Sequence, residues 1–308
     1  LVEDRRTNLA LWCRDFPNAA WVKTTVPAAK DAVGVDGVAS SASSLTSTAA
    51  NGTCLQSITD ASAQRITSCY VRRKTGSGTI EMTQNGGTAW AAITLTTAWQ
   101  RFNIAAATIT NPSVGFRIVT NGDAIEVDYF QHELGAFITS TIPTTTASVQ
   151  RNAEVATITG SNFSDWFNPT EGSLMAKFNI FDMATATGVA TLDDGTTNER
   201  IDLITTSTAR PYMKIYDGGV DQAPNLNGSA DCVANTMLRF ALTYKLNDLS
   251  ISQNGAANVT DGSATIPTVN QLRLGVDGSG NYLNGHIARL AYWGKRLTNN
   301  ELREVSAV

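Results

Sequence analysis

The sequence predicts an all-β protein: two tandem jelly-roll β-sandwiches joined by an extended connector, with one short helix at the C-terminus. Three observations carry this reading. Strand-length runs of alternating apolar and polar residues recur along almost the whole chain, each closed by Gly, Asn, Asp or Pro. No amphipathic window of helix length interrupts them before the last few residues. Charged residues make up only 16% of the 308, against roughly a quarter in an average globular protein. Thr, Ser, Asn, Ala and Gly fill the difference, and alternating with Val and Ile they suit exposed sheet faces and frequent turns.

The first unit spans residues 1–136. A short apolar segment, Asn8–Cys13, leads into the turn Arg14–Asn18 and a strand over Ala20–Val26. The polar stretch from Lys30 to Thr53 alternates only weakly. Strand signals then strengthen over Cys54–Thr59, Arg65–Arg73, Thr79–Gln84, Ala89–Leu95, Gln100–Ala107, Ser113–Val119 and Ile125–Leu134. Gly76-Ser77-Gly78, Asn85-Gly86-Gly87, Asn111-Pro112 and Asn121-Gly122-Asp123 punctuate them, because Gly and Asn tolerate positive φ and Pro ends a ladder. Strands at this pitch without intervening helices point to a two-sheet sandwich.

Residues 137–160 form the connector. Pro143 removes a backbone donor and fixes φ, and the Thr-rich patch around it has little to bury. Phe137, Ile138, Ile142, Val149, Val155 and Ile158 nevertheless recur along the stretch. The expectation is an ordered, extended segment packed against its neighbours, unlike a flexible Gly/Ser linker.

The second unit, 161–308, holds strands over Gly172–Phe181, Gly188–Leu192, Arg200–Thr205, Tyr212–Asp217, Met237–Tyr244, Leu249–Gln253, Asn270–Val276 and Leu283–Trp293. Its turns are Asp193-Asp194-Gly195, Asp217-Gly218-Gly219, Asn254-Gly255 and Asp277–Gly280, and the three that carry Asp are read as ordinary turns ahead of cation sites. Thr298 as N-cap and Glu301 three residues on define a capping box, so a short helix starts there and ends near Val305.

Bulk properties exclude several functions. A formal charge of -4 and only one basic cluster, Arg72-Arg73-Lys74, argue against a nucleic-acid binder, which must neutralise phosphates. No run of about eighteen apolar residues exists, so no membrane insertion is expected. The opening LVEDRRTNLALW lacks an initiator Met and carries both signs of charge, so a processed product or a fragment is expected and not a signal peptide. The four cysteines, Cys13, Cys54, Cys69 and Cys232, have no metal spacing; buried free thiols are expected, with a Cys54–Cys69 bridge the alternative. His132 and His286 read as strand residues with local hydrogen bonds, since nothing in the sequence marks zinc or triad partners for them.

Several motifs resemble a known class. The opening TNLALWCRDFPNAAWVKTTV, with Ala136–Thr144 and Arg151-Asn152-Ala153-Glu154, is similar to a module of tailed-bacteriophage structural proteins built on a carbohydrate-binding-module-type jelly roll. The ending, Leu283–Trp293 followed by Arg296–Leu302, resembles the concanavalin-like, laminin-G-type jelly roll. The resemblance implies a non-enzymatic virion protein, a tail fibre, spike or decoration. It would sit on the particle among other virion proteins, as a homo-oligomer there, and would contact host surface polysaccharide. No cofactor is required on this reading. In carbohydrate-binding jelly rolls a structural calcium joins the N-terminal segment to the last strand, and Asp15 with Asp128 match that pattern.

Two constellations offer chemistry. Tyr70, Arg72 and Trp90 are the glycan-binding candidates, an aromatic pair for stacking with a cation for hydrogen bonds. The alternative function is an extracellular glycan-active enzyme or its carbohydrate-binding module using Glu126 and Asp128, which an ideal strand points to one side, as paired carboxylates for glycoside hydrolysis require. Glycoside hydrolases of the concanavalin-like fold resemble this run with Glu-x-Asp-x-x-Glu, but Gln131 stands where the last carboxylate belongs, and an amide is no general acid.

Overall fold

A computed structural model describes every residue except 182, 184, 185, 225 and 308. The chain forms two compact units. One is Arg5–Asn152; in the other, Leu1–Asp4 joins the chain from Ala153 onwards. The protein is all-β, and each unit is a β-sandwich.

In the first unit the strands are β1 (Arg6–Asn8), β2 (Val22–Thr24), β3 (Ala28–Ala32), β4 (Ala42–Thr46), β5 (Gly52–Ser57), β6 (Ala63–Thr75), β7 (Ile80–Thr83), β8 (Ala91–Ile93), β9 (Gln100–Ile109), β10 (Ser113–Ile118), β11 (Ala124–Leu134) and β12 (Val149–Arg151). Two five-stranded antiparallel sheets, ordered β2-β5-β10-β7-β8 and β3-β4-β11-β6-β9, face each other. The period of two sends Cys69 and Val71 of β6, and Ile125 and Val127 of β11, into the core. At the centre Phe16 stacks on Trp21 at 4.2 Å, and Phe130 meets Trp21 edge-on at 5.0 Å. β11 is interrupted by a bulge between Asp128 and Gln131, where Tyr129 takes φ 46°. The extra residue resets the alternation, so that Phe130 still points inward.

The stretch after β11 is held by buried polar groups of that strand. Glu133 accepts from the backbone N–H and hydroxyl of Thr139 at 3.0 and 2.6 Å. Gln131 accepts from the Ile142 N–H at 2.8 Å, and the Asn8 amide donates to the carbonyls of Phe130 and Ile142. Ile142 is buried, whereas Val149 and Val155 are exposed. The segment read as one connector is thus divided. Its first part ends in β12, paired with β1, and its last part belongs to the second unit.

That unit comprises β13 (Ala156–Thr159), α1 (Ser161–Ser164), β14 (Glu171–Ile180), β15 (Thr187–Asp193), β16 (Arg200–Thr205), β17 (Pro211–Asp217), β18 (Val220–Asp221), β19 (Leu238–Lys245), β20 (Leu249–Gln253), β21 (Val259–Asp261), β22 (Gln271–Leu274), β23 (Gly285–Trp293) and α2 (Asn299–Ser306). A six-stranded sheet, β13-β22-β15-β16-β17-β18, packs on a five-stranded one, β21-β20-β19-β14-β23. Leu192, Leu203, Met213 and Ile215 from the first meet Leu174, Phe178, Phe240 and Leu242 from the second. Thr298 caps α2 in a full capping box with Glu301, and Leu302 seats the helix against Met175 and Ala241. Val2 exchanges two backbone hydrogen bonds with Gly285, 2.8 and 2.9 Å. No helix among the described residues is long and apolar enough to cross a membrane.

Candidate functional site

β8 and β9 are edge strands of opposite sheets in the first unit, and between them the sandwich opens into a cleft of about 530 Å³. That size falls within the range of small-molecule sites. Met82 and Ile104 supply its apolar floor and Trp90 an indole wall; Gln84, Asn85, Thr108 and Thr110 supply polar groups. None of the lining side chains is ionisable. The indole is fixed from behind. Arg117 stacks on it at 4.6 Å while pairing with Glu81 at 2.5 Å. Gly87, at φ 89°, approaches so closely that a Cβ there would come within 2.9 Å of Trp90 Cζ2. Gln84 is oriented by Thr67 and by the Ala105 carbonyl. Asn85 accepts through Oδ1 from Thr83 and from the Ala89 N–H, which leaves its amide nitrogen to the cleft or to solvent.

Tyr70 and Arg72 lie elsewhere, on the outer face of the other sheet. They share that face because they are two residues apart on β6. Arg72 pairs with Glu126 and stacks on Trp99 at 4.6 Å; Arg101 lies over Tyr70 at 5.7 Å. The structure therefore brings Tyr70 and Arg72 together but places Trp99 beside them, with Trp90 in the opposite sheet. Sequence reasoning missed Trp99 and Arg101. The alternation of Phe102 and Ile104 inward was the signal that Arg101 points out, but only the β6–β9 register, Tyr70 opposite Arg101, sets the neighbours.

Glu126 and Asp128 are both committed to arginines. Asp128 is fully buried, takes two bonds from Arg14 at 2.7 and 3.0 Å, and accepts the N–H groups of Val35 and Tyr129. Asp15 faces Lys30 at 3.9 Å. The Asp128 oxygens are thus occupied by Arg14, Val35 and Tyr129, and no group of three or more His, Cys, Asp or Glu among the described residues is arranged to hold a metal. The four cysteines are free and buried, so Cys54 and Cys69 form no bridge. His132 bonds Thr67 at 2.8 Å, and burial pushes it down to about 4, leaving it neutral. His286 lies 3.2 Å from Asn179 Oδ1.

The second unit carries a polar layer on the outer face of its six-stranded sheet. Asp193 is bonded by Gln271 and Arg273, and Asp277 closes its turn by accepting from Ser279, Asn281 and the Asn281 amide. Asp202, fully buried, lies 3.0 Å from Arg200 but accepts no hydrogen bond. Burial pushes its carboxyl up to about 7, with Asp277 and Asp193 adding to the rise against Arg200.

No protein-family model matches the chain, and no curated protein does. Among solved structures, the CBM40 module of the Ruminococcus gnavus IT-sialidase is similar at 15% identity and a TM-score of 0.39, over 46% of this chain and 84% of that one. The NanB sialidase of Streptococcus pneumoniae is similar at 15% and 0.38, over 48% of this chain and 26% of its own. The Trypanosoma rangeli sialidase follows at 13% and 0.35, over 44% and 22%. The bacteriophage reading is corrected here. The similar structures named above are a sialidase carbohydrate-binding module and two sialidases, where that reading expected a tail fibre, spike or decoration protein. The virion location, the virion partners and the non-enzymatic assignment that came with that resemblance go with it. The physical reason lies in the motifs that carried it. Strand ends, a Pro-containing segment and a capped helix report how a sandwich is built, and fold does not specify the assembly a chain serves.

Proposed function

We propose that the chain is a glycan-binding module, of the kind that serves extracellular glycan-active proteins. The Trp90 cleft supports this reading. A sugar presents an apolar C–H face and a rim of hydroxyls, and the cleft offers an apolar floor, an indole wall, the Asn85 amide nitrogen and the hydroxyls of Thr108 and Thr110. Glu126 and Asp128 have no part in it, since each is held by an arginine. We read the second sandwich, with its five-stranded sheet backed by a capped helix, as a concanavalin-like variant. The test is a glycan array followed by titration of the best ligand against intrinsic tryptophan fluorescence. Trp90→Ala should abolish the response. A chain that binds nothing on the array, or a Trp90→Ala variant that binds as well as the parent, would sink the proposal.

A further inference from the structure

The outer face of β6 and β9 has a feature distinct from the cleft. Arg14, Arg65, Arg72, Arg73 and Arg117 each hold a carboxylate. Arg101 has none. Its Nη2 donates to the Ser68 hydroxyl at 3.0 Å, its plane lies over Tyr70, and its Nε is buried without an acceptor. Two residues earlier, the Trp99 indole N–H is also buried without an acceptor. The two side chains share a face, because Arg101 stacks on Tyr70 and Trp99 under Arg72, neighbours on one side of β6. Buried N–H groups are almost always paired, and an orphan costs about 1–3 kcal/mol. Both orphan donors lie on this face with a guanidinium whose one acceptor among the described residues is the Ser68 hydroxyl, so the face is richer in donors than in acceptors.

We propose that this patch binds an anionic group, a carboxylate or sulfate carried on a saccharide. A carboxylate or sulfate is acceptor-only and matches the guanidinium fork in charge and geometry. Arg72 is not the receptor, since Glu126 already balances it; its role is to hold the Trp99 ring in place. Tyr70 and Trp99 flank the anion with aromatic surface, which is what a sugar-borne group would use and a free ion would not. The site is independent of the Trp90 cleft, whose lining holds no charge, so either can fail without the other.

The experiment titrates the full chain with glucuronate, with inorganic sulfate and with glucose as the neutral match, following the indole N–H resonances. Trp99→Phe, which keeps a ring under Arg72, identifies the Trp99 signal. Glucuronate should shift that signal, and binding should weaken on the order of tenfold or more in Arg101→Gln and fall with added salt. Arg101 and Trp99 lie outside the core, and an unchanged near-ultraviolet circular dichroism spectrum verifies that the variants fold. An equal response to glucose, or no response to either anion, overturns the site. An equal response to sulfate alone overturns the saccharide assignment.

Discussion

Asp202 and Arg200 stand two residues apart on one face of β16, with Oδ2 and Nε 3.0 Å apart, yet neither carboxyl oxygen of Asp202 enters a hydrogen bond. The pair is close enough to attract and misaligned for donation. Full burial is why the acid is pushed up to about 7, against the opposing pull of Arg200 and Thr191. In the unfolded chain the same group titrates at its ordinary value. Between those two points the folded state holds a proton that the unfolded state has lost. The stabilisation is fully present below the ordinary Asp value and is lost as pH rises through about 7. Denaturant melts should show this contribution falling between about pH 4 and about pH 7. Asp202→Asn should remove that dependence and be the more stable form at the alkaline end, by roughly 1–3 kcal/mol. An Asn variant less stable than the parent there would refute the assignment.

The Arg14–Asp128 pair makes the opposite case, a buried carboxylate whose donors are all in place. Arg14→Met leaves that charge buried without its counter-ion. Unfolding free energy should drop by about 3 kcal/mol, with the denaturant slope unchanged. Adding Asp128→Asn should recover part of the loss, because the stranded charge is then gone.

Gly87 sets the position of the cleft wall. At φ 89° an added Cβ is strained, and it would also meet the Trp90 indole at 2.9 Å. Gly87→Ala should cost about 1–2 kcal/mol and displace the ring. Thermal melts report the first effect and a blue or red shift of Trp emission the second.

The cap of α2 is separable from the rest of the unit. Thr298→Ala removes the acceptor for the Glu301 N–H and should cost about 1 kcal/mol, read by urea titration. Glu301 itself is held below the ordinary carboxylate range, first by the Thr298 N–H and then by its hydroxyl. Its contribution is present above that range and should be lost as pH falls through the depressed value.

How much of this was legible in the sequence depended on the range of the interaction. The Asn85–Gly87 turn, the β10 and β11 alternation and the Thr298–Glu301 box are set by residues within a few positions of one another, and they stand where the pattern placed them. β4 lies inside the weakly alternating stretch from Lys30 to Thr53 and β3 straddles its start; the alternation is weak at β4 because Ser43 is buried through hydrogen bonds in place of apolar contacts. β1 was not foreseen. Its partner β12 is far along the chain, and three residues carry no period of their own. The exchange of Trp90 for Trp99 beside Arg72 has the same cause, since cross-strand neighbours follow a register that no local window contains.

The bond between Val2 and Gly285 has a consequence for the order of events during synthesis. Residues 5–152 are all translated before the second sandwich has its last strands, so the first sandwich can close while the ribosome is still at work. Val2 cannot: its partner is among the later residues made. Val2 must wait through the synthesis of the whole first sandwich, and the second sandwich completes itself by recovering a piece of chain made before its neighbour.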